Sequence, residues 1–358
     1  MLRYILHRIG YGLFVLLGVV IVVFFLFQLT RIHPERQIAG EKADQQTIEN
    51  IKRELGLDLP IGKQLLLYLN DISPISWHNT LDNTSRYFLD AQKYQYLRIC
   101  TIGHTATVLK KPYLSRSYVS KRDVNSILAD RIPNTLVLAI AAMLFATFVG
   151  IGLGVMAAMR PQSWIDHACT AGSVLGVSLP SFFAGIVLQL IFAYLLASVT
   201  GLHMTGNLYE TDAYTGERYL ALQNLILPAL ALGIRPVAVI TQLMRSSMLD
   251  VLHNDYIRTA KAKGLSNRVI VFKHALRNAL NPVVTSISGW LASLLTGAFF
   301  IEAIFGYNGI GYETVNALRT FDYPVAMGAI LYTAVIFVVI NILVDIAYSL
   351  IDPRIRFA

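Results

Sequence analysis

At 358 residues, 55% of them hydrophobic and only 15% charged, the chain is far more apolar than a water-soluble domain, where charged residues make up about a quarter. Composition therefore points to an integral membrane protein and sets aside an ordinary globular enzyme. The formal charge of +8 would suit nucleic acid in a soluble protein, but in a membrane protein excess Lys and Arg marks the cytoplasmic side, so no nucleic-acid partner is expected.

From the amino end, Arg3 and Arg8 precede an apolar run from Ile9 to about Leu29. That run matches the ~20 residues that cross a bilayer, and Phe27-Gln28-Leu29-Thr30-Arg31 lacks a small-residue cleavage site, so residues 1–30 read as a cytoplasmic amino end and a retained first helix, not a signal peptide. Five further spans are expected at about 133–158, 168–199, 222–247, 279–301 and 324–351, giving an all-α polytopic membrane protein of six transmembrane helices with both termini cytoplasmic. Orientation follows from the basic residues. Arg354, Arg356 and the segment from Arg245 to Arg277 (Arg258, Lys261, Lys263, Arg268, Lys273) fall on one side, whereas the short opposite loops hold only Arg218 and Arg319.

Residues 31–132 form an enlarged outer loop between helices 1 and 2. Its 15 Lys and Arg do not overturn the orientation, because loops of that length translocate largely regardless of charge. Within it, Ile48, Ile51 and Leu55 lie on one helical stripe stopped by Gly56, and a second short helix is expected over Ile61 to Leu69. Residues 73–125 then interleave aromatic with basic residues, among them Trp77, Tyr94, Tyr96, Arg98, Lys110 and Tyr113. A basic groove with stacked rings would suit single-stranded nucleic acid in a soluble protein. On the outer face a small packed subdomain or a docking surface is the better reading. Cys100 in this polar segment and Cys169 in an apolar span are not expected to pair.

Punctuation inside the spans carries structure. Gly150, Gly152 and Gly154 let helices approach closely. Pro180 removes a backbone donor mid-helix and should kink the third span, as a packing device or as a gate or wall of a translocation path.

The most informative segment is the cytoplasmic loop of residues 248–278. Asp255 can cap a helix start, Ala260 and Ala262 favour helix, and Gly264 suits a left-handed stop, so 255–263 reads as a short helix. Ser266 can cap the next, in which Val269, Phe272, Leu276 and Ala279 share a face; upstream, Leu249, Leu252 and Tyr256 continue an apolar stripe. The result is a helical bracket lying along the membrane. Anionic lipid could hold such a pair of amphipathic helices, but that leaves the spacing of Arg258, Thr259, Ala260 and Gly264 without a reason.

That spacing resembles the coupling loop of permease subunits of ATP-binding-cassette (ABC) importers, in the dipeptide and oligopeptide branch. Their motif is Glu-Ala-Ala, three residues, Gly, nine residues, then an apolar-x-Leu-Pro element. Here Arg258-Thr259-Ala260 is followed by Gly264 at the matching spacing, then His274 and Leu276, with Arg277 where Pro is usual and Asn278 after it. The resemblance extends to Leu2-Arg-Tyr-Ile-Leu-His-Arg8, to Glu302-Ala-Ile-Phe-Gly306 with Gly309 and Gly311, to Asp322-Tyr-Pro324, and to Asn341, Asp345, Tyr348 and Asp352-Pro-Arg354. It covers about four-fifths of the chain. It implies a type I ABC importer permease fold with a core over 133–351 and a cytoplasmic carboxyl end over 352–358. It also implies a second homologous permease subunit, two cytoplasmic ATPase subunits that use ATP and Mg, an outer solute-binding protein, a peptide cargo, and residence in the bacterial inner membrane. The coupling residues it implies are Tyr256, Arg258, Thr259, Ala260, Gly264, His274, Leu276 and Asn278. The chain departs from the family in about 40 inserted residues from Ser73 to Pro112, and in Asn308 where relatives usually have Pro.

No phosphate-binding Gly-x4-Gly-Lys-Ser/Thr occurs, since Gly62-Lys63 continues with Gln64, so ATP chemistry belongs to partners and no cofactor is expected on this chain. The eight histidines show no metal spacing. Arg235, about eight residues into the fourth span, is expensive in hydrocarbon and becomes a path candidate that reads a peptide carboxylate or carbonyl, or else a structural arginine paired with Glu302; Glu302 itself joins Pro180 and Arg235 as a candidate for the path or its gate. Asp345 near the inner end of the last span is expected to pair with a basic group. Among rival functions, nickel chelates, glutathione or antimicrobial peptides would use the same architecture. A secondary transporter would need inverted repeats and buried acids that the chain lacks, and Ser286-Ile-Ser-Gly289 reads as helix packing, not as a protease nucleophile.

Overall fold

The computed structural model describes residues 2–29, 35, 39, 44–54, 56–82, 85–91, 93–212 and 214–351. The chain divides into two compact units, one of residues 9–130 and 316–334, the other of residues 1–8, 131–315 and 335–358.

In the first unit, the uninterrupted apolar run makes α1 (Leu2–Leu29). The expected helical pair follows as α2 (Gln45–Glu54) and α3 (Ile61–Ile72). Gly56 takes φ +74° and its amide donates to Arg53 O at 3.1 Å, which closes α2; Leu55 of the predicted stripe lies outside the described residues. The insertion is a three-stranded antiparallel sheet of β1 (Ile75–Asn79), β2 (Tyr96–Ile102) and β3 (Thr105–Lys110), in the order β1-β3-β2. Sequence reading anticipated a packed subdomain without its strands.

One face of that sheet packs Ala106 and Val108 with Leu89 and Tyr94. The ring of Tyr94 meets Tyr113 edge-on at 5.5 Å, and both Lys93 and Lys110 sit 4.8 Å above it. Asp71 accepts from the Tyr94 hydroxyl at 2.6 Å and from Lys93 at 3.1 Å, while the buried Lys110 donates to the Asp71 carbonyl. These rings and cations serve a core. Burial pushes the Tyr113 phenol up and lowers Lys110 to about 8, and it also lowers His78 below the ordinary imidazole range. At the end of the unit, Asp322 receives the Ser117 hydroxyl and the Tyr118 amide at 2.9 Å, tying the loop ahead of the second span to the start of the last.

The second unit is the helical core. Its long elements are α4 (Val124–Met159, which begins in the first unit), α5 (Trp164–Ser178), α6 (Ser181–Leu188, continued by a π-helical segment Gln189–Leu195), α7 (Gln223–Leu252), α8 (Asp255–Ala262), α10 (Leu276–Phe305) and α11 (Ile310–Arg319). A short antiparallel hairpin of three residue pairs, β4 (Tyr209–Thr211) with β5 (Arg218–Leu220), precedes α7. The one-turn α9 (Asn267–Val269) opens the segment before α10, and α12 (Tyr323–Ile351) ends the described chain. Among the described residues five helices are long and apolar enough to cross a membrane, and the pair Trp164–Ser178 and Ser181–Leu195 makes a sixth span if counted as one. That pair is bent by 110°. Pro180 therefore does more than kink the third span: it stands in extended conformation ahead of α6 (φ −60°, ψ 134°) and breaks the span in two.

α7 is the hub, packed against α5, α6 and α10. The small residues of α4 allow its own approach. A Cβ placed on Gly150 would fall 2.7 Å from Ile240 Cγ2, and one on Gly154 would fall 2.5 Å from Met244 Cβ, whereas Gly152 faces nothing within 4 Å. Two of the three glycines thus buy contact between helices, as expected.

Candidate functional site

α8 is short because each end has a local cause. Asn254 precedes it in extended conformation with no side-chain cap, so Asp255 is the first helical residue and not the cap expected from sequence. At the other end the Gly264 amide donates to Lys261 O at 2.9 Å and Leu265 N to Ala260 O at 3.3 Å, with Gly264 at φ +75°. This is the left-handed stop that glycine suits. The helix docks through Ile257 and Ala260, which join the main hydrophobic cluster with Ile270, Val271 and Ala275. Arg258, Thr259 and Gly264 are exposed on the other side. The Arg258–Asp255 pair at 3.4 Å lies in open solvent and contributes little to stability.

Two expectations for this bracket are corrected. The segment Ile270–Ala275 is π-helical, and the buried face is not the expected one. The buried residues are Ile270, Val271, Ala275 and Ala279, while Phe272 is 61% exposed. Likewise Ile257, not Tyr256, continues the apolar stripe from α7. Tyr256 is exposed, and its hydroxyl accepts from Asn278 Nδ2 at 2.8 Å. That bond brings together two of the predicted coupling residues from opposite arms of the bracket. His274 and Leu276 lie half-buried at the root of α10. The side chain of Ser247 donates to Ala279 O at 2.9 Å, joining the two arms where they enter the core.

The path candidates separate. Arg235 is exposed along α7, with no ion-pair or hydrogen-bond partner among the described residues, so its pairing with Glu302 does not occur. Glu302 is wholly buried. Its carboxylate accepts from Thr135 Oγ1 at 2.7 Å and from the Tyr312 amide at 3.0 Å, and the turn can approach it because Gly309 and Gly311 have no side chains. Around it Asn134 Nδ2 donates to Asn308 O at 2.7 Å, and Asn308 N donates to Asn207 Oδ1 at 2.9 Å, a bond that proline at 308 could not make. Such a closed network makes Glu302 a clamp on the 305–312 turn, not a wall of an aqueous path.

Sequence reasoning missed the charged pair that joins α5 to α7. Arg245 near the end of α7 holds Asp166 through two nitrogens, with Nη2 to Oδ2 at 2.7 Å, and Asp166 is itself nearly inaccessible. Asp166 also accepts from Gln162 N at 3.0 Å, so one carboxylate fixes both the start of α5 and its seat on α7. The expected pairing of Asp345 is present, with Arg8 Nη1 at 3.1 Å.

Residues 150–357 match the family described as binding-protein-dependent transport system inner membrane component, and residues 1–85 match its amino-terminal companion. A dipeptide transport system permease protein of Alkalihalophilus pseudofirmus is 34% identical over the whole of both chains. The chain belongs to this family of transport-system membrane components. A di/tripeptide transport system permease protein of Pseudomonas aeruginosa is 34% identical and a dipeptide one of Escherichia coli K12 is 33% identical, each over 99% of both chains. An inward-facing MetNI methionine ABC transporter shares 16% identity over 65% of this chain at a TM-score of 0.49. The family matches take in α1, α2, α3 and the whole of residues 248–278, whereas residues 86–149, which hold β2 and β3, fall between them.

Proposed function

We propose that this chain is the permease of an importer for dipeptides or other short peptides, paired with a second permease, powered by two cytoplasmic ATPases that use ATP and Mg, and fed by an outer solute-binding protein. One observation carries the coupling role: α8 is anchored to the core by Ile257 and Ala260 while Arg258, Thr259 and the Gly264 tip remain exposed. A helix so built transmits displacement in both directions, because its buried face moves with the spans and its outer face is available to a partner. The peptide cargo rests on the full-length likeness to dipeptide permeases. Both termini lie in the cytoplasm in this reading, on the side of the basic bracket.

Arg235 gives the path a cation for a peptide carboxylate, and Pro180 places a break in the wall beside it as a gate. Uptake of a labelled dipeptide by cells carrying Arg235→Gln tests the first point. The reading expects normal protein in the membrane with a raised KM, since a lost charge-assisted contact costs about 1.5–3 kcal/mol; unchanged uptake removes Arg235 from the path.

A further inference from the structure

The sheet of the insertion leaves one edge uncovered. In the order β1-β3-β2 both outer strands are edges. β1 is finished from within the chain. The Trp77 amide donates to Asn70 Oδ1 at 2.9 Å and Asn70 Nδ2 donates to Trp77 O at 3.0 Å, while the Asn79 amide donates to Tyr87 O at 2.7 Å and the Leu89 amide to Asn79 O at 2.9 Å. β2 pairs with β3 and, among the described residues, its backbone bonds to nothing on the other side. A row of free amides and carbonyls is a template for another strand.

The side chains of β2 are uncovered as well. Leu97 is 72% and Ile102 79% exposed, and the register sets Leu97 beside Leu109 and Ile75, both exposed on the face away from Ala106 and Val108. Contiguous apolar surface of this kind marks an interaction site. A bilayer could cover the apolar face but would leave the edge amides and carbonyls unpaired, which hydrocarbon does not tolerate. An extended polypeptide satisfies both.

Charge narrows the occupant. Residues 73–112 hold five Lys or Arg against two Asp. Arg86 is taken by Asp58 and Lys93 by Asp71, and Lys110 is buried against the Asp71 carbonyl. Arg98 and Lys111 are exposed and hold no carboxylate among the described residues, so an incoming segment that carries acids is favoured. The bulge between Arg98 and Cys100 and the cation within the strand are devices that discourage pairing with a second copy. The edge is also held to the spans: Pro112 O, just after β3, accepts from Asn125 Nδ2 of α4 at 2.9 Å, and Asn125 Oδ1 accepts from the Tyr332 hydroxyl of α12 at 3.0 Å.

We propose that the free edge of β2 takes up an extended, acid-bearing segment of the solute-binding protein as a fourth strand. The inference rests on the permease reading, which puts this loop on the outer face.

The test is hydrogen exchange of the intact transporter, with its partner subunits, before and after addition of its purified solute-binding protein. Exchange of the β2 amides should slow at least about tenfold on addition, because edge amides gain strand partners. Leu97→Asp/Ile102→Asp, at exposed side chains, should weaken docking at least about tenfold, and Arg98→Glu/Lys111→Glu should weaken it and flatten its dependence on salt. Docking at full affinity with β2 exchange unchanged overturns the proposal and leaves the permease reading standing, whereas failure to dock at all removes that reading too. Protection of β2 that appears without the binding protein, on raising transporter concentration or on transfer from detergent to bilayer, assigns the edge to a second copy or to lipid and likewise overturns the proposal.

Discussion

Replacing Gly264 separates backbone strain from occlusion of the bracket's tip. The residue sits at φ +75°, where an L side chain costs roughly 1–2 kcal/mol. A Cβ there meets nothing within 4 Å, so no overlap adds to that cost. One or two kcal/mol is a modest part of the ~5–15 kcal/mol that holds a domain, and the buried anchors Ile257 and Ala260 remain in place. Gly264→Ala should therefore insert normally and keep most of its uptake. Gly264→Arg carries the same backbone strain and adds a long charged chain on the exposed side, where an ATPase would seat. It should reach the membrane at wild-type level yet lose peptide uptake at least about tenfold, equivalent to more than ~1.4 kcal/mol of coupling. Measuring uptake, membrane abundance and ATP hydrolysis in the same vesicles distinguishes the outcomes. If the arginine variant transports as well as the alanine variant, the tip does not face a partner and the coupling assignment is wrong.

Three further outcomes follow from the packing and the charges. Arg245→Ala strands the inaccessible Asp166 carboxylate and should lower the thermal stability of the assembled protein, by about 2–4 kcal/mol given that the arginine itself is partly exposed; Asp166→Asn/Arg245→Gln should recover part of it. Gly154→Leu places a side chain into Met244 and should cost about 1–3 kcal/mol or more, seen as reduced yield, whereas Gly152→Leu should be silent. In the sheet subdomain the Lys110 ammonium is held down to about 8 from 10.5, so between pH 8 and about 10 the unfolded form binds the extra proton and stability rises with pH. Above that, Tyr94 and Tyr113, whose phenols are pushed up by burial, reverse the trend because their ionisation favours unfolding. His78, held low, makes acid below about pH 6.5 destabilising. Hydrogen exchange of β1 and β3 in the full protein, followed against pH, should show protection falling towards acid and peaking near pH 10; protection that falls steadily from pH 8 would contradict the burial of Lys110.

The spans and the bracket were legible because both write themselves in local pattern: twenty-residue apolar runs, a helix of eight residues, and a glycine where the chain turns left-handed. What stayed hidden depends on distance in the chain. Arg245 and Asp166 are 79 positions apart and Thr135 and Glu302 are 167 apart, so neither pairing has a local signal. The π-helical turn at Ile270–Ala275 was also invisible, since one wider turn shifts every later side chain while leaving composition unchanged. In that segment Phe272 is exposed and Val271 buried, the reverse of the expected face. The strands of the insertion had a signal in Tyr96-Leu-Arg-Ile-Cys-Thr-Ile102, rich in β-branched and aromatic residues. It was obscured by the interleaved charges, which turn out to pack on tyrosine rings. Asn308 shows a departure from family pattern acquiring a reason, because its amide is used by Asn207.

On the proposed function, the exposed face of α8 meets an ATPase. A photo-crosslinking amino acid placed at Arg258, 74% exposed at the side chain, tests it in intact cells. An adduct with a cytoplasmic ATPase subunit is expected, with a yield that changes when ATP is trapped. An adduct with the outer binding protein, or none with an ATPase in a transport-competent complex, would contradict it.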